Sequence, residues 1–479
     1  MYYLCTFFEN ETCRNMENNA TELKKNKSFF QLFNLSAGFF GVQIAYALQS
    51  ANISRIFSTL GADPHDLGYF WILPPLMGMV VQPLIGILSD RTWMGKVFGR
   101  RKFYLLIGAL IAVAVMVLLP NAGDFEFSTE QRLWLGLNAA MWFGLFSLMF
   151  LDTSINIAMQ PFKMMVGDMV NEEQKGTAYA IQSALCNAGS LVGYLFPIFF
   201  TWIGIANTAE PGVIPDSVKW SFYIGALILI LCVLYTFFAV QEMDPKEYAE
   251  FHGLNKDKEA AGTVDESSSS VIVRAFLTVS LVQFFCWAAF MYMWTYSPGA
   301  IAIQGFGWDK LSTAAQEYQD AGDWVGVCFA IQAVGSLLWA MLIPFLEKRF
   351  GNKGAYAISL IVGAIGFISI FFVSNKYVML GSYALVGAAW AAMLALPFTI
   401  ITNAISGSKY MGTLLGLFNC SICIPQIVAA ATGKNVLTGM EKFLENMQST
   451  ADAQSGMLAL AGVLLLIGSA CVFLIKEKK

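Results

Sequence analysis

A single carboxylate, Asp152, stands within a long apolar stretch of this sequence. From Leu133 to Met159 it is the one ionisable residue. A charged side chain at the centre of a bilayer costs about 2.5–3.5 kcal/mol even on insertion scales, so its presence needs a reason. A carboxyl group in such surroundings favours its neutral form, and a proton carrier must load on one side of a membrane and release on the other. No Lys or Arg lies in the middle of an apolar span, which leaves Asp152 free to be neutralised by a proton. We therefore predict that Asp152 acts as a proton carrier.

Asp152 shares one predicted helical face with other residues of its segment. At about 100° per residue, Asn138, Leu145, Met149 and Asn156 fall within about 60° of it, and such a stripe can face a wet cavity. The alternative is a hydrogen bond between two helices, or a helix end misjudged by the prediction. Asp152 lies only about 12 Å of helix rise from the predicted end of its span.

Amides and aromatic rings follow single faces of four other apolar segments. These groups are Gln43, Tyr46 and Ser50; Gln283, Trp287 and Trp294; Gln332, Ser336 and Trp339; and Asn419, Cys423 and Gln426. Amides can both donate to and accept from hydroxyls, and flat rings can cover the apolar face of a pyranose. The alternative for each residue is ordinary bonding and packing between helices. Taken together, the stripes predict a polar cavity for a neutral sugar, lined by Gln43, Gln49, Asn156, Gln283, Trp287, Gln332, Asn419 and Gln426.

The composition restricts the class of protein. Hydrophobic residues make up 57% of the 479 residues and charged residues 13%, against about 45–50% and about 25% in soluble proteins. Soluble, disordered and fibrous classes are thereby excluded. The net charge of −4 includes no basic tail or block of like charge, so no nucleic-acid partner is expected. Nine scattered cysteines and two histidines predict no metal site, and no cofactor is expected.

Twelve apolar spans can be counted, and about 20 apolar residues are enough to cross a bilayer. We place them at 29–57, 67–89, 103–121, 133–159, 177–204, 220–240, 271–298, 323–346, 355–373, 378–405, 413–433 and 456–475. Most Lys and Arg residues fall on the side of the two termini, which predicts that both termini are cytoplasmic. Short loops and the lack of a targeting signal favour a bacterial inner membrane.

A hydrophilic segment at 241–270 divides the spans into six plus six and predicts a flexible linker between halves at 1–240 and 271–479. Internal repetition supports this division. Pro161-Phe162 and Gly176-Thr177 recur at one common spacing as Pro397-Phe398 and Gly412-Thr413. We expect an all-α membrane protein with the major facilitator fold, built from two six-helix halves with a site between them.

Several strings resemble one family of transporters. They are Gly41-Val42-Gln43, Ala47-Leu48-Gln49, Leu60-Gly61, Pro64-His65, Trp71-Ile72, the run from Gly78 to Pro83, Ser89-Asp90-Arg91 and Phe98-Gly99-Arg100-Arg101, followed by Asp152, Asn156, Pro161, Lys163 and Asp168, and by Asn419 and Pro425-Gln426. In this order they resemble the sucrose-transporter family of plants and its animal and bacterial relatives. The resemblance covers spans 1–5 and 10–11 well and the linker and spans 6–9 poorly.

The resemblance implies a symporter that imports a neutral disaccharide or glucoside, such as sucrose or maltose, with a proton. Asp152 matches the proton-coupling residue, and His65 matches a histidine in the outer loop near the substrate entrance. Lys163 replaces the family's Arg, and Thr153-Ser154-Ile155 replaces its Ala and Asn. These departures leave the identity of the sugar open.

Charged residues at the predicted cytoplasmic face form a second expected site. We predict that an exposed cluster there acts as a conformational gate, made of Asp90, Arg91, Arg100, Arg101, Lys163 and Asp168. The expected partners of the protein are a sugar, protons and the lipid bilayer, and we expect it to work as a monomer. The alternative function is a sugar uniporter or an exporter of another neutral solute. A membrane-embedded enzyme would require a nucleophile with its base, or metal ligands, and none is visible.

Overall fold

The computed structural model describes residues 26–124, 133, 137–251, 266–405, 411–449 and 451–475, and these residues form helices and no strands. The helices are α1 (Phe29–Thr59), α2 (Leu67–Trp71), α3 (Leu73–Arg91), α4 (Gly95–Phe98), α5 (Lys102–Leu118), α6 (Ala139–Met169), α7 (Glu172–Trp202), α8 (Asp216–Ala239), α9 (Pro245–Phe251), α10 (Glu266–Phe306), α11 (Gln316–Phe372), α12 (Lys376–Ile405), α13 (Met411–Asn446) and α14 (Ala453–Val472). A 3₁₀ turn, Leu119–Asn121, extends α5.

The helices account for the twelve predicted spans. Among the described residues, ten helical segments are long and apolar enough to cross a bilayer, with α2 and α3 forming one of them. One of the ten, α11, has 57 residues and is broken at Gly351, whose φ of 72° no helix can contain. The remaining span is α1, a helix of 31 residues that is almost entirely buried. The predicted fold, with two six-helix halves, is therefore confirmed.

The helix that carries Asp152 is longer than predicted. We expected its span to end at Met159, but α6 continues through Pro161 to Met169. A proline is tolerated inside a membrane helix where neighbouring helices cover the backbone, and Pro161 is buried. Asp152 therefore lies near the middle of α6, which removes the alternative of a misjudged helix end.

The segment between the halves is partly helical, so the prediction of a flexible linker over 241–270 is too broad. Asp244 caps α9: its side chain accepts from the backbone N–H groups of Lys246 and Glu247, and Glu247 accepts in return from Asp244 N–H at 2.9 Å. This reciprocal pair is a capping box, which starts a helix. Residues 252–265 lie outside the described part, and α10 begins at Glu266.

The bundle has two ends, which we call the terminal face and the opposite face. The terminal face contains residue 26, the loops at 92–101 and 240–244, and residue 475; the opposite face contains the loops at 60–66, 203–215 and 307–315. In the first half, α1 packs against α6, α7 and α8. In the second half, α10 packs against α11, α12, α13 and α14. The halves meet where α7 contacts α11 and where α2 and α3 contact α13.

Two glycines, Gly189 and Gly193, let α7 approach α1 closely. A Cβ atom at Gly189 would lie 2.3 Å from the backbone oxygen of Phe40, and one at Gly193 would lie 2.8 Å from the backbone oxygen of Ile44. Both distances are shorter than van der Waals contact. Small residues at helix interfaces allow such contact between backbones in membranes.

We expect Gly189→Ala to destabilise the protein. The added methyl group must push α7 away from α1, and overpacking of this kind costs about 1–3 kcal/mol. The matched control is Gly381→Ala on α12, where a Cβ atom would meet nothing within 4 Å; because alanine favours helices, that variant should keep or gain stability. Thermal unfolding of the purified protein in detergent measures both changes. Equal midpoints for the two variants would contradict the tight α1–α7 contact.

Candidate functional site

The carboxyl group of Asp152 is buried in the middle of the first half and contacts an amide. Its side chain is 2% exposed. Gln49 Nε2 of α1 donates to Asp152 Oδ1, and Asn156 Nδ2 donates to the backbone oxygen of Asp152 at 2.8 Å. Asp152 Oδ2 and Gln49 Oε1 are both buried, and neither has a hydrogen-bond partner in the described part of the chain. The site therefore offers two oxygens that can accept hydrogen bonds.

A row of polar side chains leads from Asp152 toward the terminal face. Asn156 Oδ1 accepts from Gln82 Nε2 of α3 at 2.6 Å, and Gln82 Oε1 accepts from Lys163 Nζ at 3.3 Å. The facing side of α3 carries Gly78, where a Cβ atom would lie 3.7 Å from Asn156 Oδ1. Gln82 thus joins the Asp152 region to the exposed end of Lys163.

The second half contributes another pair of buried polar atoms without partners. Gln283 Nε2 of α10 donates to the backbone oxygen of Met393 at 3.2 Å, which leaves Gln283 Oε1 unpaired among the described atoms. One turn further along α10, Trp287 Nε1 is also buried and unpaired in the described structure. Since buried polar groups normally have partners, these atoms mark a place where a polar ligand can bind.

An aromatic cluster surrounds Trp287 and reaches across to the first half. The ring of Trp390 on α12 lies 5.7 Å from Trp287, 4.9 Å from Phe290 and 5.9 Å from Trp294. Trp294 in turn stacks on Trp71 of α2, with ring centroids 5.9 Å apart. Trp390 was missed in the sequence analysis. Its only signal there was a tryptophan in the interior of a predicted span.

The other predicted cavity residues are less closely connected. Gln43 Oε1 accepts from Ser190 Oγ of α7 at 3.4 Å. Gln332 and Gln426 are buried and Asn419 is half-buried, but among the described residues no hydrogen bond joins them to Asp152, Gln283 or Trp287. The structure therefore brings Gln49, Asp152 and Asn156 together in one half and Gln283 and Trp287 in the other, and it leaves the remaining assignments as predictions.

His65 lies in the loop between α1 and α2, at the opposite face, and contacts both halves. Its Nδ1 lies 2.6 Å from Asp63 Oδ1, and its Nε2 lies 3.1 Å from Glu441 Oε2 of α13. Partial burial acts to lower the pKa of His65, but the hydrogen bonds and charges of Asp63 and Glu441 outweigh it, and the pKa is raised above its usual value. The charged imidazolium is thus favoured in this position.

The predicted gate residues at the terminal face contact each other within the first half. Arg101 Nε donates to Asp168 Oδ2 at 2.8 Å and Arg101 Nη2 to Asp90 Oδ1 at 2.6 Å, while Arg100 Nη2 lies 3.3 Å from Asp168 Oδ2. The expectation of an exposed cluster is wrong for Arg101, whose side chain is 2% exposed. Its burial follows from the three acceptors around it, since Ser89 Oγ also accepts from Arg101.

Two of the predicted gate residues do not contact this cluster, and one residue that does contact it was not predicted from the sequence. Arg91 is exposed, and Lys163 bonds Gln82 instead. Glu242, which the sequence analysis did not select, accepts from the backbone N–H groups of Arg100, Arg101 and Lys102 at 2.7–3.0 Å. It thereby caps the start of α5. Whether the cluster acts as a gate stays a prediction.

Comparison with known proteins identifies the family. The model of the Major Facilitator Superfamily matches residues 35–430. The chain belongs to this family. The transporter is 25% identical to sucrose transport protein SUT5 of Oryza sativa subsp. indica, over 82% of its own length and 79% of the relative. It is 24% identical to sucrose transport protein SUC4 of Arabidopsis thaliana, over 81% of both chains. The predicted resemblance to the sucrose-transporter family is thus confirmed.

Further similarities are more limited. The transporter is 27% identical to the general alpha-glucoside permease of Schizosaccharomyces pombe over 39% of its length and 34% of that relative. Among solved structures, a D-xylose-proton symporter covers 94% of the transporter with a TM-score of 0.66 at 15% identity, and 98% of that structure is matched. Nucleoside transporter NupG covers 94% with a TM-score of 0.63 at 13% identity, and 99% of it is matched. These structures support the fold of the transporter. Its family and relatives show that it is an integral membrane protein and that it is a transporter, not an enzyme.

We expect the pKa of His65 to fall when its partner in the other half is removed. In Glu441→Gln the charge that favours the imidazolium is lost, so the pKa should move down toward about 6.5. The ion pair between His65 and Glu441, which links the halves, is present at low pH and weakens as the pH rises through the raised pKa of His65. The chain has two histidines, so with His252→Gln as background an NMR titration of a labelled imidazole reports on His65 alone. An unchanged pKa would show that the contact with Glu441 is not formed.

Proposed function

We propose that this transporter imports a neutral disaccharide or glucoside, of the sucrose or maltose type, together with a proton. The named functions of its relatives support the sugar: two are sucrose transport proteins and one is an alpha-glucoside permease. A matching fold is also found in a D-xylose-proton symporter. The proposals that a proton is carried and that the sugar is of this type depend on the residues of the site.

The observation that carries the proposal is the setting of Asp152. This buried carboxyl group contacts a neutral amide, and its described contacts include no cation. Such a group can exist both charged and neutral. Gln49 suits both forms, because its N–H can donate to a carboxylate and its Oε1 can accept from a protonated carboxyl group. Asp152 is therefore proposed to take up the proton on one side and release it on the other.

The sugar is proposed to bind between the two groups of unpaired polar atoms. Asp152 Oδ2, Gln49 Oε1 and Gln283 Oε1 can each accept from a hydroxyl, and Trp287 Nε1 can donate to one. Trp390 and Trp287 offer ring faces and edges to the apolar side of a pyranose. A ligand that contacts Asp152 directly would link protonation of the carboxyl group to sugar affinity.

We also propose an orientation for the protein in the membrane, on which the direction of transport depends. The excess of Lys and Arg at the terminal face indicates that both termini are cytoplasmic. The opposite face would then be external, and the row from Asp152 through Gln82 to Lys163 would lead to the cytoplasm. Function as a monomer and residence in a bacterial inner membrane stay predictions. The relatives named above come from plants and a yeast, and they give no support to a bacterial source.

We expect Asp152→Asn to lose accumulation of sugar against its gradient. The substitution keeps the shape of the side chain and a hydrogen-bonding group, but it fixes the neutral state, so no proton can be carried. Counterflow, the exchange of labelled for unlabelled sugar, needs no net proton transfer and should survive. Proteoliposomes with an inward-directed pH gradient and labelled sucrose, maltose or trehalose measure both activities.

The outcome separates the two transport mechanisms. If Asp152→Asn still concentrates sugar in response to the pH gradient, the proton carrier is elsewhere. If the wild-type protein equilibrates sugar without responding to the gradient, the uniporter alternative is correct. The matched control is Asp168→Asn, which changes a carboxylate at the terminal face that contacts Arg101. It should leave the ratio of protons to sugar unchanged even if transport slows.

We expect loss of single cavity groups to weaken sugar binding. Gln283→Ala removes an acceptor, and Trp287→Phe keeps a ring but removes the N–H donor. Each change should cost about 1–3 kcal/mol, or about 5–150-fold in affinity. Gln332→Ala and Asn419→Ala test two predicted cavity residues that, among the described residues, have no hydrogen bond to Asp152, Gln283 or Trp287. Binding isotherms of all four variants decide the assignment, with Gln174→Ala at the terminal face as control. If three of the four bind as the wild type does, the cavity is placed wrongly.

A further inference from the structure

An arginine near the end of α1 is buried between the two halves. The side chain of Arg55 is 1% exposed, although it lies close to the opposite face. Its Nη1 donates to Asp323 Oδ1 of α11 at 2.7 Å, its Nε donates to Gln319 Oε1 at 2.8 Å, and its Nη2 donates to Asn207 Oδ1 at 2.7 Å. One guanidinium group thus joins α1, the loop after α7 and the start of α11.

The partners of Arg55 are themselves held by further bonds. Asp323 Oδ2 accepts from Thr201 Oγ1 of α7 at 2.6 Å, which adds a second bond between the halves. Asn207 Nδ2 donates to Asp320 Oδ1 at 3.0 Å. Gly322 leaves room for the arginine, because a Cβ atom there would lie 2.5 Å from Arg55 Cδ. The network therefore satisfies both oxygens of Asp323 and all three guanidinium nitrogens.

This network lies next to the aromatic cluster at the proposed sugar site. Ser54, the neighbour of Arg55, donates to the backbone oxygens of Trp294 and Thr295 at 3.2 and 3.0 Å. It accepts in turn from Trp71 Nε1 at 2.9 Å. Ser54 thus connects the Trp71–Trp294 stack to the Arg55–Asp323 pair, and both of these contacts cross from one half to the other. Separation of the halves at the opposite face must break both contacts.

We propose that Arg55 and Asp323 are gating residues of the transport cycle, whose ion pair forms when the opposite face closes and separates when it opens. A buried charge that loses its partner is strongly unfavourable, so the two side chains part only when water reaches both. Closure of this face is then a switch between two states, paired and dry or separated and hydrated. The pair also sets how large a fraction of the molecules is closed at this face.

The proposal depends on alternating access of the cavity and not on the identity of the sugar or on the proton. The carboxylate of this pair is distinct from Asp152, since Asp323 contacts a cation and Asp152 contacts an amide. Asp323 is accordingly a positioning residue that acts through the arrangement of the halves. Its test requires a measurement of conformation, which stays informative if the proposed symport is wrong.

Hydrogen–deuterium exchange of the protein in nanodiscs, without sugar, measures the balance between the states. In Asp323→Asn and in Arg55→Gln, segments 54–66 and 313–326 at the opposite face should exchange at least about tenfold faster than in the wild type, because one charge is left without its partner. Segments 172–185 and 338–350 at the terminal face should exchange more slowly. Opening of one face and closing of the other is the signature of a gate.

Two further variants separate a gate from a merely structural contact. The double variant Arg55→Gln with Asp323→Asn leaves two neutral amides that can bond each other, so its exchange should lie closer to the wild type than that of either single variant. Lys434→Gln removes an exposed ion pair, Lys434–Asp66, that crosses the same interface at 3.1 Å. Exposed pairs contribute little, so this control should exchange as the wild type does.

Several results would overturn the proposal. Faster exchange at both faces in the single variants would show general loss of stability instead of gating. Unchanged exchange at 54–66 and 313–326 would show that the pair does not hold the face closed. A double variant that opens as far as both single variants combined would show that the two residues act independently. Thermal unfolding of each variant confirms that the protein measured is folded.

Discussion

Ionisable side chains inside a lipid-embedded bundle must be paired or neutral, and this constraint organises the whole molecule. No water is available in the hydrocarbon region to solvate a charge, so each buried cation or carboxylate needs protein partners. Arg55 has a carboxylate and two amides, and Arg101 has two carboxylates. Lys102 Nζ donates to the backbone oxygens of Phe237 and Val240, at 3.1 and 2.7 Å. Asp152 differs from these groups because its described side-chain partner is an amide.

The charged groups are also separated along the axis of the bundle. At the terminal face, Arg101, Asp168 and Glu242 bind parts of the first half to each other. At the opposite face, Arg55 and His65 connect the two halves. Fixed contacts within a half and ionic contacts between halves suit a rocking motion, in which rigid bodies exchange one interface for another. The intermediate layer holds amides and tryptophans, which can bond a solute without trapping it as a counter-ion.

The sequence was informative wherever a property depends on neighbours along the chain. Twelve apolar segments and a lone carboxylate in one of them are local features, and both could be predicted. The end of α6 could not, because Pro161 normally ends a helix and only burial among other helices lets it stay inside one. The Arg55–Asp323 pair joins residues 268 positions apart, so no local pattern contains it. Trp390 is likewise placed against Trp287 by the packing of α12 on α10, which periodicity does not reveal.

The inward-facing polarity of α1 has a consequence for the assembly of the protein in its membrane. This helix carries Gln43, Gln49, Asn52 and Arg55, which other helices bury. Alone in lipid it would expose these groups to hydrocarbon. Its neighbours α7 and α8, which cover it, are synthesised more than a hundred residues later. We therefore expect α1 to become stable in the bilayer only after α7 and α8 have been synthesised.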